Sequence, residues 1–237
     1  MALFDKWKKR TEPLQAPPKQ PQTTPSQPQH QPQKPQQQTK TPQLLDDGLE
    51  KALFAEVELF KCFPDQIKVL QEGTRDEIIR LLLEKTNGKE SRIQLAAWNE
   101  LRKMGVEVPA DLFKKVLGVV LEVGLYGGVD YLAAYSDHTA RYYNFSGAKV
   151  IWENEENEMS SAIDKLIQAG QIVADHIGIW DEERRKGVAE EMIRMTFLTP
   201  SGLYFGEGEM SAMLQDHMAQ SVIINGMELM KQLMDKT

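Results

Sequence analysis

The chain is expected to fold as an α+β domain, with N-terminal helices, then an antiparallel β-meander and a hairpin packed with two long helices, behind a disordered Pro/Gln-rich N-terminal tail. Three observations predict this. All 12 prolines except Pro64, Pro109 and Pro200 fall in residues 11–43, among glutamines and without an aromatic side chain. Such a segment cannot bury enough apolar surface to offset the entropy of ordering it. From Leu44 to Lys115 apolar residues recur at helical intervals between capping signals. From Val116 to Trp152 the spacing changes to β-branched, alternating runs broken by short polar turns.

Residues 1–10, MALFDKWKKR, place Leu3, Phe4 and Trp7 on one side of a short amphipathic segment and the Lys/Arg cluster on the other. A basic amphipathic segment suits an anionic membrane surface or a groove on a partner. Phe4, Trp7, Lys8, Lys9 and Arg10 are therefore the expected interaction residues. Residues 11–43 form the linker, which spans up to about 3.1 Å per residue if extended. Residues 44–237 are expected to form one globular domain, with a helical subregion at 44–115 and a sheet-and-helix subregion at 116–237.

In the helical subregion, Leu49, Leu53, Val57 and Phe60 predict a first helix ending before Pro64. Thr74 and Glu77 form a capping box for a second helix through Ile78, Ile79, Leu81, Leu82 and Leu83, which Asn87-Gly88 stops. Ser91 with Gln94 is read as a repeat of that device, opening a third helix through Trp98 and Leu101 to Gly105. Pro109 opens a short helical turn carrying Leu112 and Phe113.

The first strand carries Leu117, Val119, Leu121 and Val123 on one face and Val116, Val120 and Glu122 on the other, so one face is expected to be core and the other half-covered. Tyr126-Gly127-Gly128 reverses the chain into strands at 129–135, 140–145 and 149–152, with Ser136-Asp137-His138 as one break. Tyr131, Tyr135 and Tyr143 are expected to pack across strands with their hydroxyls at the sheet rim. Glu153, Glu155, Glu156 and Glu158 are placed to complement the N-terminus of a long helix running from Ile163 to Ile177. Asp181 to Arg185 reads as a charged turn, and Thr199-Pro200-Ser201-Gly202 as the turn of a hairpin between Ile193–Leu198 and Leu203–Phe205. One terminal helix from Met210 to Met234 carries a Met-rich stripe expected to face the core. The order meander, long helix, hairpin, long helix resembles the sheet-and-helix sandwiches of roadblock and profilin-like scaffolds over about half the chain, which implies helices stacked on an antiparallel sheet.

Three Asp-His pairs, Asp137-His138, Asp175-His176 and Asp216-His217, supply the residue types of a zinc site with carboxylates behind the imidazoles. Neighbours in sequence point in different directions on a helix, however, and no His-Glu-x-x-His spacing is present. No metal and no cofactor are therefore expected, and His138, His176 and His217 belong to an alternative reading, a ligand-binding or hydrolytic domain using Gly202, Gly206 and Gly208 as well. Cys62 reads as a packed small side chain, and Ser201 lacks a nucleophile elbow, so no catalytic residue is assigned.

A single cysteine excludes an intramolecular disulfide framework. Lysines and an arginine follow directly on Leu3 and Phe4, which is no secretory pattern, so the cytoplasm is the expected compartment. Net charge is −7, and because the first 43 residues are basic, the domain itself is more acidic than that. An acidic domain argues against nucleic acid as a partner. The expected function is a non-catalytic interaction or adaptor module tethered by its tail. Its expected partners are a protein, a second copy of the chain, or a membrane surface touched by the N-terminal segment.

Overall fold

The run GVVLEVGL, Gly118–Leu125, forms the central strand β1, and a two-residue turn at Tyr126-Gly127 folds it back as β2, Gly128–Tyr135. Gly127 adopts φ 98°, a left-handed conformation that costs glycine little. The computed structural model describes residues 43–56, 66–153 and 158–236. β3 (Ala140–Tyr143) and β4 (Lys149–Trp152) complete the meander, and β5 (Met192–Thr199) and β6 (Gly202–Glu209) form the hairpin on the other side of β1. The six strands are antiparallel throughout, in the order β4-β3-β2-β1-β5-β6.

Among the described residues seven helical elements surround this sheet: α1 (Asp47–Leu53), α2 (Ile67–Glu72), α3 (Arg75–Lys85), α4 (Ser91–Lys103), α5 (Ser160–His176), α6 (Met210–Met213) and α7 (His217–Met234). α5 and α7 lie on the face bearing Val119, Leu121, Leu132 and Phe197. Gly170 of α5 sits where a Cβ would be 2.7 Å from Val119 Cγ2 and 3.0 Å from Phe197 Cδ1, so the missing side chain sets how closely the helix approaches. On the opposite face Leu53 and Phe54 at the end of α1, with Leu95 of α4, join one buried cluster with Val120, Tyr131, Ala133, Tyr135 and Leu198. The sheet is therefore covered on both faces. Every residue of β2 is buried, against the expectation of one half-covered face, because the N-terminal helices form a third layer rather than a separate lobe. Trp98 and Leu101 form a second cluster with Leu82 of α3. Pro42–Thr237 is one compact unit.

Several local readings are corrected. α1 ends at Leu53, because Ala55 takes φ 53° and Glu56 N–H returns to Lys51 O at 2.8 Å, a reversal of the kind glycine usually supplies. Val57, Phe60, Cys62 and Pro64 lie outside the described residues, as do residues 1–42, and with them Phe4, Trp7, Lys8, Lys9 and Arg10. Thr74 and Glu77 do form the capping box, but Ser91 with Gln94 does not. Ser91 is the first residue of α4, and its N–H is capped from the β2–β3 turn by Asp137 Oδ2 at 2.8 Å, while Ser91 Oγ meets Ser136 Oγ at 2.9 Å.

Among the described residues, the N-cap of α5, Met159, makes no side-chain capping hydrogen bond. Glu153 pairs with Arg141 and Glu158 with Lys236, while Glu155 and Glu156 lie outside the described residues. β6 runs past Phe205 to Glu209, because Gly206 and Gly208 leave space over the strand for Met213. The terminal helix is two helices, since Asp216 caps α7 by accepting from the N–H groups of Met218 and Ala219. The buried face of α7 includes Val222, Ile223, Gly226, Leu229, Met230 and Leu233, so of the methionines in the stripe Met230 faces the core while Met218, Met227 and Met234 are half-buried. Tyr135 hydroxyl donates to Leu53 O at 2.7 Å inside the core rather than at the rim. Trp152 is half-buried.

Candidate functional site

A single carboxylate interrupts the apolar strand β1, and the register decides its neighbours. Glu122 stands between Tyr131 of β2 and Arg194 of β5, Arg194 stands beside Glu207 of β6, and Tyr131 stands beside Tyr143 of β3, which itself pairs with Lys149 of β4. One polar row thus crosses all six strands on the face covered by α1 and α4.

At its centre the row is buried and charged. Arg194 is 2 % exposed and Glu122 0 %. Arg194 Nη1 donates to Glu122 at 3.1 and 3.3 Å and to Arg185 O at 2.7 Å, and its Nε donates to Glu207 Oε2 at 2.7 Å. Its guanidinium carbon lies 5.6 Å from the centroid of the Trp180 ring. A second guanidinium, Arg184, joins this sheet-borne group to α1. It donates to Glu50 at 2.5 Å, grips Glu56 with two bonds at 3.0 and 3.2 Å, and lies 3.8 Å from the Phe54 ring centroid. Glu50 is itself only 1 % exposed. At the surface Lys186 reaches Asp47 at 2.5 Å.

Burial dominates the electrostatics. Desolvation pushes the Glu122 carboxyl up from the ordinary 4.5 to about 7, against the pull of Arg194 and Arg184. Burial, with the charges of Glu122 and Glu50 nearby, also raises the Tyr131 phenol. Burial works against the charge of Arg184, but the hydrogen bonds from Glu56 and Glu50 outweigh it and the pKa of Arg184 is raised. Removing either guanidinium would leave a buried carboxylate without its partner.

The structure uses the predicted candidates elsewhere. His138, at φ 64°, places Nε2 3.0 Å from Asp164 Oδ1, and His176 Nδ1 is 2.7 Å from Ile172 O. His217 is the first residue of α7. Their Asp neighbours serve as a cap for α4 (Asp137), an acceptor for Gln171 (Asp175) and the cap of α7 (Asp216). Among the described residues no three His, Cys, Asp or Glu side chains are grouped to hold a metal ion. Gly202, at φ 138°, opens β6 directly after the hairpin turn, where Ser201 Oγ lies 3.1 Å from the Tyr204 hydroxyl.

Cavities among the described residues open away from Glu122. One of about 560 Å³ is lined by Phe54, Glu56, Asn99, Arg102 and Leu203, and one of about 770 Å³ by Val108, Pro109, Phe113 and Lys114. The three donor positions of Lys114 are taken by the carbonyls of Ala174, Asp175 and Ile177 at the end of α5. No helix among the described residues is long and apolar enough to cross a membrane. No family model, no curated protein and no solved structure matches the chain.

Proposed function

We propose that the chain is a non-catalytic protein-interaction or adaptor module, whose N-terminal decapeptide docks on a partner and whose domain is a rigid carrier. The observation that supports this reading is the sealing of the charged row. Glu122, Glu50 and Arg194 are buried and satisfied by one another's cluster, so the groups with the strongest electrostatic coupling fasten α1 and the Trp180–Lys186 segment to the sheet. A general acid or base has to come within hydrogen-bond reach of a substrate. The alternative, a ligand-binding or hydrolytic site built on the Asp-His pairs, would need them to converge, and each pair instead serves its own helix end or turn.

The test is Trp7→Ala in the full chain, read by capture of a protein partner, by sedimentation with anionic vesicles and by thermal unfolding. Loss of protein capture with an unchanged Tm is expected. Unchanged capture, or a large fall in Tm, would refute the docking role, and loss of vesicle binding alone would assign the segment to a membrane surface.

A further inference from the structure

The sheet has two edges, and the chain treats them differently. At β6 the Trp180 N–H donates to Leu203 O at 2.7 Å, the Trp180 ring packs on Phe205 at 4.0 Å between centroids, and Arg185 reaches Glu207 at 3.6 Å. That edge is partly closed by the protein's own segment. At β4 no further strand pairs on the outer side among the described residues. Exposure alternates along Lys149–Trp152, and Ile151 is 48 % exposed.

The phase of the ladder shows which backbone groups face outward. Asn144 N–H donates to Ala148 O at 2.8 Å across the β3–β4 turn, and antiparallel alternation then gives Val150 and Trp152 the bonds to Tyr142 and Ala140. The N–H and C=O groups of Lys149 and Ile151 therefore point away from the sheet. An open edge with an apolar centre is a template for an added strand.

We propose that this strand comes from a second copy of the chain, with β4 pairing antiparallel to itself about a two-fold axis at Ile151. The register follows from the outward groups. Ile151 faces Ile151 of the second copy, Lys149 faces its Glu153, and Val150 faces its Trp152. The Ile151 contact lies on the axis and the other two occur twice, as a two-fold interface requires. Charge complementarity selects this occupant: Glu153 keeps 62 % of its side chain exposed after accepting Arg141 at 2.5 Å and approaching Arg92 at 3.7 Å. Lys149 is exposed and forms the outer end of the polar row. On the other face Trp152 is half-buried, with its Nε1 lacking a hydrogen-bond partner among the described residues, and Val150 of the second copy covers its ring. The sheet becomes continuous over two subunits.

This inference rests on reading the chain as an interaction module and names one of its partners, yet it uses none of the residues of the N-terminal segment. Sedimentation velocity of the full chain over the micromolar range is expected to show a dimer. Ile151→Lys, at an exposed position, is expected to weaken it about tenfold by setting like charges opposite each other. Lys149→Glu, facing Glu153, is expected to do the same, with Tm as the control for folding.

Register is tested by oxidation in a Cys62→Ser background. Ile151→Cys brings two thiols onto directly opposed residues with Cα atoms roughly 5.5 Å apart, within disulfide reach. Lys149→Cys leaves them about 13 Å apart along the strands. Rapid cross-linking at position 151 and not at 149 supports the proposal. A monomer at every concentration, a dimer indifferent to both charge variants, or equal cross-linking at the two positions overturns it. A monomer that still captures its partner through Trp7 overturns the edge alone, and a dimer whose Trp7→Ala variant captures normally overturns the docking role alone.

Discussion

Glu122→Gln should flatten the dependence of stability on pH. The Glu122 carboxyl is 0 % exposed and titrates near 7 in the folded protein instead of at its ordinary 4.5. Between those values the folded chain holds a proton that the unfolded chain has released. Its contribution is therefore complete below pH 4.5 and is lost as pH rises through 7. At 1.36 kcal/mol per pKa unit, the loss is about 3 kcal/mol across the window.

Asp47, Glu77 and Asp216 act in the opposite sense, since Lys186, Thr74 and the α7 N-terminus respectively hold their carboxyls below the ordinary range. Their contributions are present above the unfolded values and are lost as pH falls, so they change stability in more acid solution. Glutamine keeps the shape and one carbonyl acceptor toward Arg194 but cannot ionise. Urea unfolding of the wild type and the variant, followed by tryptophan fluorescence at fixed ionic strength, should give curves that converge toward pH 5 and separate toward pH 8, the wild type falling below. Parallel curves would refute the reasoning. A wild type that gains on the variant as pH rises would show that Arg194 outweighs desolvation and holds Glu122 ionised.

Two further substitutions test how the layers are joined. Asp137→Ala removes the acceptor for Ser91 N–H and for Thr139, so it should cost about 1 kcal/mol, as losing a helix cap does, with Asp137→Asn milder; no change in urea unfolding would show that water replaces the cap. Gly170→Ala should destabilise by about 1–3 kcal/mol, because the added Cβ meets stiff Val119 and ring-bearing Phe197, and a stabilised variant would mean that helix propensity prevails and α5 moves freely over the sheet.

The reversals between strands were legible because they carry chemical signals that act locally. Tyr126-Gly127, Ser136-Asp137-His138 and Pro200-Ser201 all mark real reversals. Helix ends set by contacts distant in sequence were not legible. Nothing in Leu53-Phe54-Ala55 announces a stop; α1 stops there because Phe54 and Ala55 are buried against the sheet and Asn99 donates to Ala55 O at 3.3 Å. Ser91 looks like a cap by composition, but its actual cap arrives from Asp137, 46 residues along the chain. In the sequence Gly206 and Gly208 read only as part of an alternative ligand site, and the position of Met213 over them shows why the strand carries glycine there.

The charged row was half visible. Glu122 appears in the sequence as one acid within VVLEV, and Arg194 as one base within MIRMTFL, the same pattern twice. A charge on a strand whose neighbours on both sides are apolar is headed for the interior, where it needs an opposite charge. The structure sets Glu122 opposite Arg194 in the ladder between β1 and β5, but a second buried cation, Arg141, lies within β3, so the strand sequences alone do not single out the partner. Glu50 and Arg184 leave no such mark. Each lies on an element that reads as solvated, an amphipathic helix and a charged turn, and they become buried only because α1 and the Trp180–Lys186 segment close over the Glu122–Arg194 pair.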